Sequence, residues 1–317
     1  MSDLPQKVMI NEEGPREGFQ IESASIPTRD KVALIDMLSQ TGVKHMQIVS
    51  FVNPKAVPGM ADAEQVVTAV KMNPAIDYTG LWLNQRGYKR ALATDRLTME
   101  GAITLYASNG FLQRNQNRTP QQQLAAQHEL IAMYQADGVP IKRAFISSAF
   151  GCNFEGDIPV ARVVDLVGQV LAIAREHGEN PGRVGLGDTM GWATPESIRR
   201  VVGAVRDQFP ELPLSLHLHD TRGMGIANAY AGLQMGVDAY DSAVAGLGGC
   251  PFAGNRGAAG NVCTEDLVFM CEEMGIDTGI DLERMIECAL FAEKVVGHPL
   301  SGSVKTGGIL GKYRKAK

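Results

Sequence analysis

Eight short apolar runs recur along this chain, each followed by a longer amphipathic or polar stretch. They are KVMINEE (7–13), VKHMQIVS (43–50), YTGLWL (78–83), GAITLYAS (101–108), IKRAFISS (141–148), RVGLGD (183–188), PLSLHLH (213–219) and VDAYDSAV (237–244). Short apolar runs suit strands of a buried parallel sheet, and the segments between them are long enough for helical crossovers. Helical spacing is clear over 29–41, where Val32, Leu34, Ile35 and Leu38 share a face, and over 158–177. Shorter helices are expected near 61–72, 88–94, 120–136, 194–208 and 225–235. The polar stretch 109–119 reads as a connection. Eight βα units predict an α/β fold of the (β/α)8 TIM-barrel type. The alternative, an open doubly wound sheet, is disfavoured because no GxGxxG follows the first run. Helices near 265–274 and 281–296 and a Gly-rich, loop-like tail from Gly297 follow the last strand. The expectation is one domain over 1–317, with 263–317 a C-terminal extension packed on the barrel.

Lys and Arg number 30 and Asp and Glu 35, a net charge of −5. That balance gives no reason to expect nucleic acid or an anionic membrane as partner. The five cysteines, Cys152, Cys250, Cys263, Cys271 and Cys288, are odd in number and follow no disulfide framework or CxxC spacing. Reduced thiols in the cytoplasm are therefore expected. The N-terminal residues lack the apolar run of a signal peptide, and no uninterrupted apolar stretch reaches transmembrane length.

Barrel enzymes carry their chemistry at the C-terminal ends of the strands. Here those ends hold Glu13 to Glu17, Ser50, Asn84, Ser108, Ser147, Ser148, Asp188, His217, His219 and Ser242. In an extended strand His217 and His219 point to one face, so both imidazoles can bind one cation. An isolated HxH is more often a hydrogen-bonded pair of core histidines. Its place at a strand end, followed by Asp220 and Arg222, favours a ligand pair. EEGPREGFQ (12–20) adds Arg16, a fixed cation suited to an enolate or carboxylate, and Glu17, a carboxylate. Gly14 and Pro15 equally suit a surface turn there. VAGLGGCPFAGNRGAAGN (244–261) is a Gly-rich loop with one thiol, Cys250, and an amide, Asn261. The thiol is a proton donor, a nucleophile or a small filler.

Taken together, SAVAGLGGCPFA (242–253), LHLHD (216–220), GPREG (14–18), SFVNPKAVPGM (50–60) and GLGDTMGWATP (185–195) resemble the 3-hydroxy-3-methylglutaryl-CoA lyase family. More broadly they resemble the metal-dependent lyase and Claisen synthase superfamily on a (β/α)8 barrel. The resemblance runs from about Ile10 to His298, and the Gly-rich cysteine loop is its most specific motif. It implies a divalent-metal (Mg2+ or Mn2+) retro-Claisen cleavage of a tertiary 3-hydroxyacyl-CoA to acetyl-CoA and a keto acid. It implies Glu17, His217, His219 and Asn261 as metal ligands. It also implies Arg16 as the enolate stabiliser, His217 as an acid/base group and Cys250 as the proton donor from the loop. Asp188 and Glu265 match further polar site residues, and Gln47, Ser50, Asn84 and Phe145 are expected at the substrate. A homodimer or homotetramer is implied as well.

Several positions depart from the family pattern. Glu17 stands where the family has aspartate, Gln47 where it has glutamate, Phe145 where it has tyrosine and Ser23 where it has lysine. The segment from Cys250 to Asn261 is two residues longer, and His298, Pro299 and Leu300 replace basic positions linked with CoA. Gln47 removes a negative charge and Glu17 lengthens a ligand by one methylene. The expectation is retained lyase chemistry on an altered acyl group. The alternatives are a synthase running the bond the other way, a CoA-independent metal aldolase of a hydroxy-keto acid, and a non-catalytic metal-binding scaffold.

Overall fold

The computed structural model of the protein describes residues 4–249 and 259–314. Its strands are β1 (Met9–Glu12), β2 (His45–Ser50), β3 (Asp77–Leu81), β4 (Gly101–Tyr106), β5 (Ile141–Ser147), β6 (Val184–Gly187), β7 (Leu214–His217) and β8 (Ala239–Ser242). They form one curled sheet in the order β3-β2-β1-β8-β7-β6-β5-β4, and every ladder is parallel. The last gap, between β3 and β4, is spanned by Thr98 N donating to Tyr78 O at 2.8 Å. An aromatic group packs beside this seam. Trp82, Tyr88 and Tyr134 meet with ring centroids 5.1 to 6.4 Å apart, and Trp82 Nε1 donates to the Tyr134 hydroxyl at 2.7 Å. Gly101 opens β4 because a Cβ there would lie 2.6 Å from the Tyr134 ring. This is the (β/α)8 architecture expected from the eight-unit rhythm.

The helices are α1 (Gly14–Ile21), α2 (Thr28–Leu38), α3 (Ala63–Ala69), α4 (Gln85–Leu92), α5 (Asn109–Gln116), α6 (Pro120–Ala136), α7 (Val160–Glu176), α8 (Pro195–Gln208), α9 (Gly225–Gln234), α10 (Thr264–Glu273), α11 (Leu282–Val296) and α12 (Val304–Gly307). The apolar face read at Leu34, Ile35 and Leu38 is fully buried, and each such side chain contributes roughly 2 kcal/mol of transfer free energy. α11 packs against α2 and α10, so the C-terminal residues lie on the barrel wall.

Three local expectations need correction. Residues 14–21 are a helix, not a turn: Pro15 sits in its first turn, where a missing N–H costs nothing. Residues 109–116 are also helical, started by Ser108 Oγ accepting from Phe111 N at 3.0 Å and stopped by Asn117 in the left-handed region. The tail beyond Gly297 contains α12 and a 3-10 turn at Leu310–Tyr313.

Alternation along the strands sorts the two faces. Leu214 and Leu216 on β7, Ile146 and Ala144 on β5, and Met46 and Ile48 on β2 are buried against helices. Their neighbours Ser215, His217, Arg143, Phe145 and Gln47 fall on the opposite, inner face. The barrel interior is thus lined with polar groups. Register then sets their height: Asn11 pairs with Asp241, and Asp241 pairs with His217. Three polar side chains from adjacent strands lie side by side.

Candidate active site and metal centre

β7 ends as a ladder strand at His217, but the extended path continues. His219 forms an antiparallel bridge with Asn261, flanked by Val262 N to Leu218 O at 2.9 Å and Asp220 N to Gly260 O at 2.7 Å. That bridge keeps His217 and His219 on one face and brings Asn261 alongside. α1 delivers Glu17 to the same place. His217 Nε2 lies 3.3 Å from His219 Nε2, while Glu17 Oε1 is 3.8 Å from the first and Oε2 3.7 Å from the second. Asn261 Nδ2 donates to Glu17 Oε2 at 2.7 Å and to Leu247 O at 2.9 Å, and Asn261 Oδ1 is buried without a partner.

Two imidazole nitrogens, a carboxylate and an orphaned amide oxygen fit a divalent cation of mixed N/O preference. The ligand atoms of Glu17, His217 and His219 all lie within 4.8 Å of one another, a span one ion can bridge. Electrostatics agree with that fit. Burial raises the cost of charging Glu17, yet Arg16, His217 and His219 hold its carboxyl well below the usual range. Burial also opposes a charge on His217, but Glu17, the hydrogen bond with Asp241 and Glu13 push it up to about 9. A positive charge is wanted between these groups.

Behind the His pair lies a second tier. His217 Nδ1 is 3.3 Å from Asp241 Oδ2 and 3.6 Å from Glu13 Oε2. A carboxylate on Nδ1 favours the tautomer that turns the Nε2 lone pair toward Glu17 and His219. Asp241 is itself held by Arg143 Nη2 at 3.0 Å and Asn11 Nδ2 at 2.9 Å. Burial opposes its charge, but Arg143 and His217 keep its carboxyl below the usual range. Arg16 is almost enclosed: Nε donates to Gln47 Oε1, Nη1 to Glu17 and Nη2 to Glu13. Phe145 meets the His217 ring edge-on at 6.1 Å and lies against Gly185 and Gly187.

The remaining sequence candidates divide. Asp188 Oδ1 accepts from Trp192 N and Ala193 N at 2.7 and 3.0 Å, while its Oδ2 is buried and unpartnered. Burial raises its carboxyl against the pull of both histidines. Ser50 Oγ is also buried without a partner. Asn84 instead caps α4, accepting from Gly87 N at 3.0 Å. Glu265 stands apart from the His pair: its Oε2 accepts from Ala245 N at 3.0 Å, supporting the start of the Gly-rich loop. Glu12 supports the same place, accepting from Val244 N, Gly14 N and Thr264 Oγ1. Burial pushes both carboxyls up to about 7. Cys250 lies outside the described residues.

Asp241, Arg143 and Asn11 escaped the sequence reading, and Glu13 was read only as part of the first strand's end. Their signal was available, because a charged or amide side chain in the middle of an apolar strand, as in IKRAFISS or VDAYDSAV, has to face a polar lumen.

Comparison with known proteins places this geometry. The model of the HMGL-like family matches residues 7–291. The chain belongs to the HMGL-like family. The mitochondrial hydroxymethylglutaryl-CoA lyase of Gallus gallus is 38% identical over 288 residues, covering 91% of this chain and 93% of that protein. The crystal structure of the Bacillus subtilis HMG-CoA lyase superposes with a TM-score of 0.87 at 36% identity, covering 97% of this chain and 99% of that one. An HMG-CoA lyase from Acinetobacter baumannii, in complex with coenzyme A and 3-methylmalate, superposes with a TM-score of 0.86 at 35% identity over 100% of both chains. As an HMGL-like protein the chain is a carbon–carbon lyase, and its Glu17–His217–His219 cluster is a candidate divalent-metal site.

Proposed function

We propose that the protein cleaves a tertiary 3-hydroxyacyl-CoA of the 3-hydroxy-3-methylglutaryl type by a retro-Claisen reaction, giving acetyl-CoA and a keto acid. The observation that carries this reading is the convergence of Glu17, His217, His219 and Asn261, with the Arg16 guanidinium bonded to Glu17. Those four side chains would hold Mg2+ or Mn2+. The chemistry supplied by such an ion is Lewis-acid polarisation of the substrate's C3 hydroxyl and a neighbouring oxygen.

The protein's own groups do the rest. In the reaction the C3 hydroxyl gives its proton to a base, for which the unpartnered Asp188 Oδ2 is available, the C2–C3 bond breaks, C3 becomes a carbonyl, and the bonding pair goes to C2 as a thioester enolate. Arg16 has five N–H donors and spends three on Gln47, Glu17 and Glu13. Two donors remain for the enolate oxygen, where charge develops. The Cys250 thiol, carried on the Gly-rich loop, returns a proton to C2. His217 has Asp241 on Nδ1 and the ligand cluster on Nε2, which supports a ligand role before an acid/base role. Phe145 keeps the pocket wall beside His217 dry.

The test is acetyl-CoA release from 3-hydroxy-3-methylglutaryl-CoA, longer 3-branched glutaryl homologues and citramalyl-CoA, with Mg2+ or Mn2+ and an EDTA control. Metal-dependent cleavage of one member is expected, suppressed by Cys250→Ala. Silence across the panel with metal bound would transfer the reading to a CoA-independent aldolase, and silence there to a scaffold.

A further inference from the structure

The Arg16 guanidinium holds an amide oxygen at Nε and carboxylates at Nη1 and Nη2. Arg16 has only donors, so the Gln47 amide must turn its oxygen toward Arg16 Nε. The amide nitrogen, a pure donor, then faces away from Arg16, and it makes no hydrogen bond among the described residues. Glutamate in its place would present acceptors only. The negative charge absent at position 47 is present at another nitrogen of the same guanidinium. Glu13, 2% exposed, accepts from Arg16 Nη2. Its other oxygen is 3.9 Å from Arg143 Nη1, and its Oε2 is 3.6 Å from His217 Nδ1.

We propose that Glu13 and Gln47 are a coupled pair acting through Arg16, with Glu13 the positioning residue and Gln47 the specificity determinant. Glu13 supplies the counter-charge that holds Arg16 in place. That frees position 47 to offer an N–H donor, which selects a thioester carrying an oxygen acceptor on C3 itself. Citramalyl-CoA, with a carboxylate directly on C3, is the probe of that class. In 3-hydroxy-3-methylglutaryl-CoA the carboxylate sits one methylene further out. This inference rests on the retro-Claisen reading and names its acyl preference.

A double-mutant cycle of Glu13→Gln, Gln47→Glu and the double variant tests it, with both thioesters and Mn2+. Each single variant should lose at least about tenfold in kcat/KM for citramalyl-CoA. Glu13→Gln leaves Arg16 short of a carboxylate, whereas Gln47→Glu crowds it with a third and removes the donor. In the double variant the carboxylate returns at Arg16 Nε instead of Nη2. Its kcat/KM should exceed the additive expectation by about tenfold or more, and its preference should move toward 3-hydroxy-3-methylglutaryl-CoA. The same cycle read by urea denaturation, with no substrate present, should show the same sign of coupling. Additive effects in both readouts would overturn the pair. An unchanged substrate preference in Gln47→Glu would overturn the donor role. If all four proteins are silent toward both thioesters while the denaturation cycle still couples, the retro-Claisen reading fails and the Arg16-mediated pairing stands.

Discussion

Glu12 is fully buried, and its two oxygens hold three donors from three elements. Oε1 accepts from Gly14 N at 2.7 Å and Val244 N at 2.9 Å, and Oε2 accepts from Thr264 Oγ1 at 2.7 Å. One side chain thus joins the start of α1, the start of the Gly-rich loop and the start of α10. Glu12→Ala would orphan two buried backbone amides and leave the Thr264 hydroxyl to Ser242 Oγ alone. Each orphaned group costs about 1–3 kcal/mol, so the expected loss is about 2–6 kcal/mol. That is a large share of the 5–15 kcal/mol typical of a folded protein. Glu12→Gln keeps an acceptor for both amides, and its new N–H2 can donate to Thr264 Oγ1, which already exchanges a hydrogen bond with Ser242 Oγ at 2.7 Å. The expected cost is then only about 1–2 kcal/mol.

Burial pushes the Glu12 carboxyl up to about 7, above its ordinary value of 4.5, so the folded state holds its proton more tightly than the unfolded chain does. Its favourable contribution is therefore full below about pH 4.5 and is lost as pH rises through 7. The Glu12→Gln deficit should be largest near pH 5 and shrink toward pH 8. Urea denaturation in EDTA, followed by tryptophan fluorescence at several pH values, measures both quantities. A Glu12→Ala protein within about 1 kcal/mol of wild type, or a Gln deficit that grows with pH, would refute the reasoning.

Further outcomes follow from the same structure. His219→Ala should weaken Mn2+ binding, measured by calorimetry, by more than about 100-fold, and Asp241→Asn by about 10–100-fold, because Asp241 only orients the His217 ring. Equal losses in the two variants would argue against separate ligand and supporting tiers. EDTA should abolish turnover and added Mn2+ restore it; turnover that survives thorough chelation contradicts the cluster's assignment. Gly260→Ala should lose both thermal stability and Mn2+ affinity, since its Cβ would stand 1.8 Å from Gly248 O beside the Asn261 bridge. A normal melting temperature in that variant would count against this packing. Gly187→Ala places a methyl 2.6 Å from the Phe145 ring and should push that ring toward His217. The expected signature is a fall in kcat larger than any loss of stability.

The helical stretches that the sequence concealed are short ones signalled by Pro15 in the first turn of α1 and by the Ser108 cap of α5 rather than by an apolar face. α1 carries a metal-site carboxylate and α5 is mostly polar, so neither shows the spacing of Leu34, Ile35 and Leu38. Candidate ligands were legible for a different reason: His217 and His219 share a face by local geometry alone, whatever the rest of the chain does. Asn84 shows the limit of reading chemistry from strand ends, because its side chain is spent on a helix cap.

By itself, then, the sequence determined the eight-unit rhythm, the apolar faces and the HxH pair, all of which depend on residues within a few positions of one another. Only the tertiary structure decided that Asn261 bridges to His219, that Asp241 backs His217, and that Glu13 and Gln47 both grip Arg16. Those contacts depend on strand register and barrel closure, which also bring Asn11 to Asp241 and Asn261 to Glu17, more than 200 positions apart, and no local periodicity encodes such a meeting.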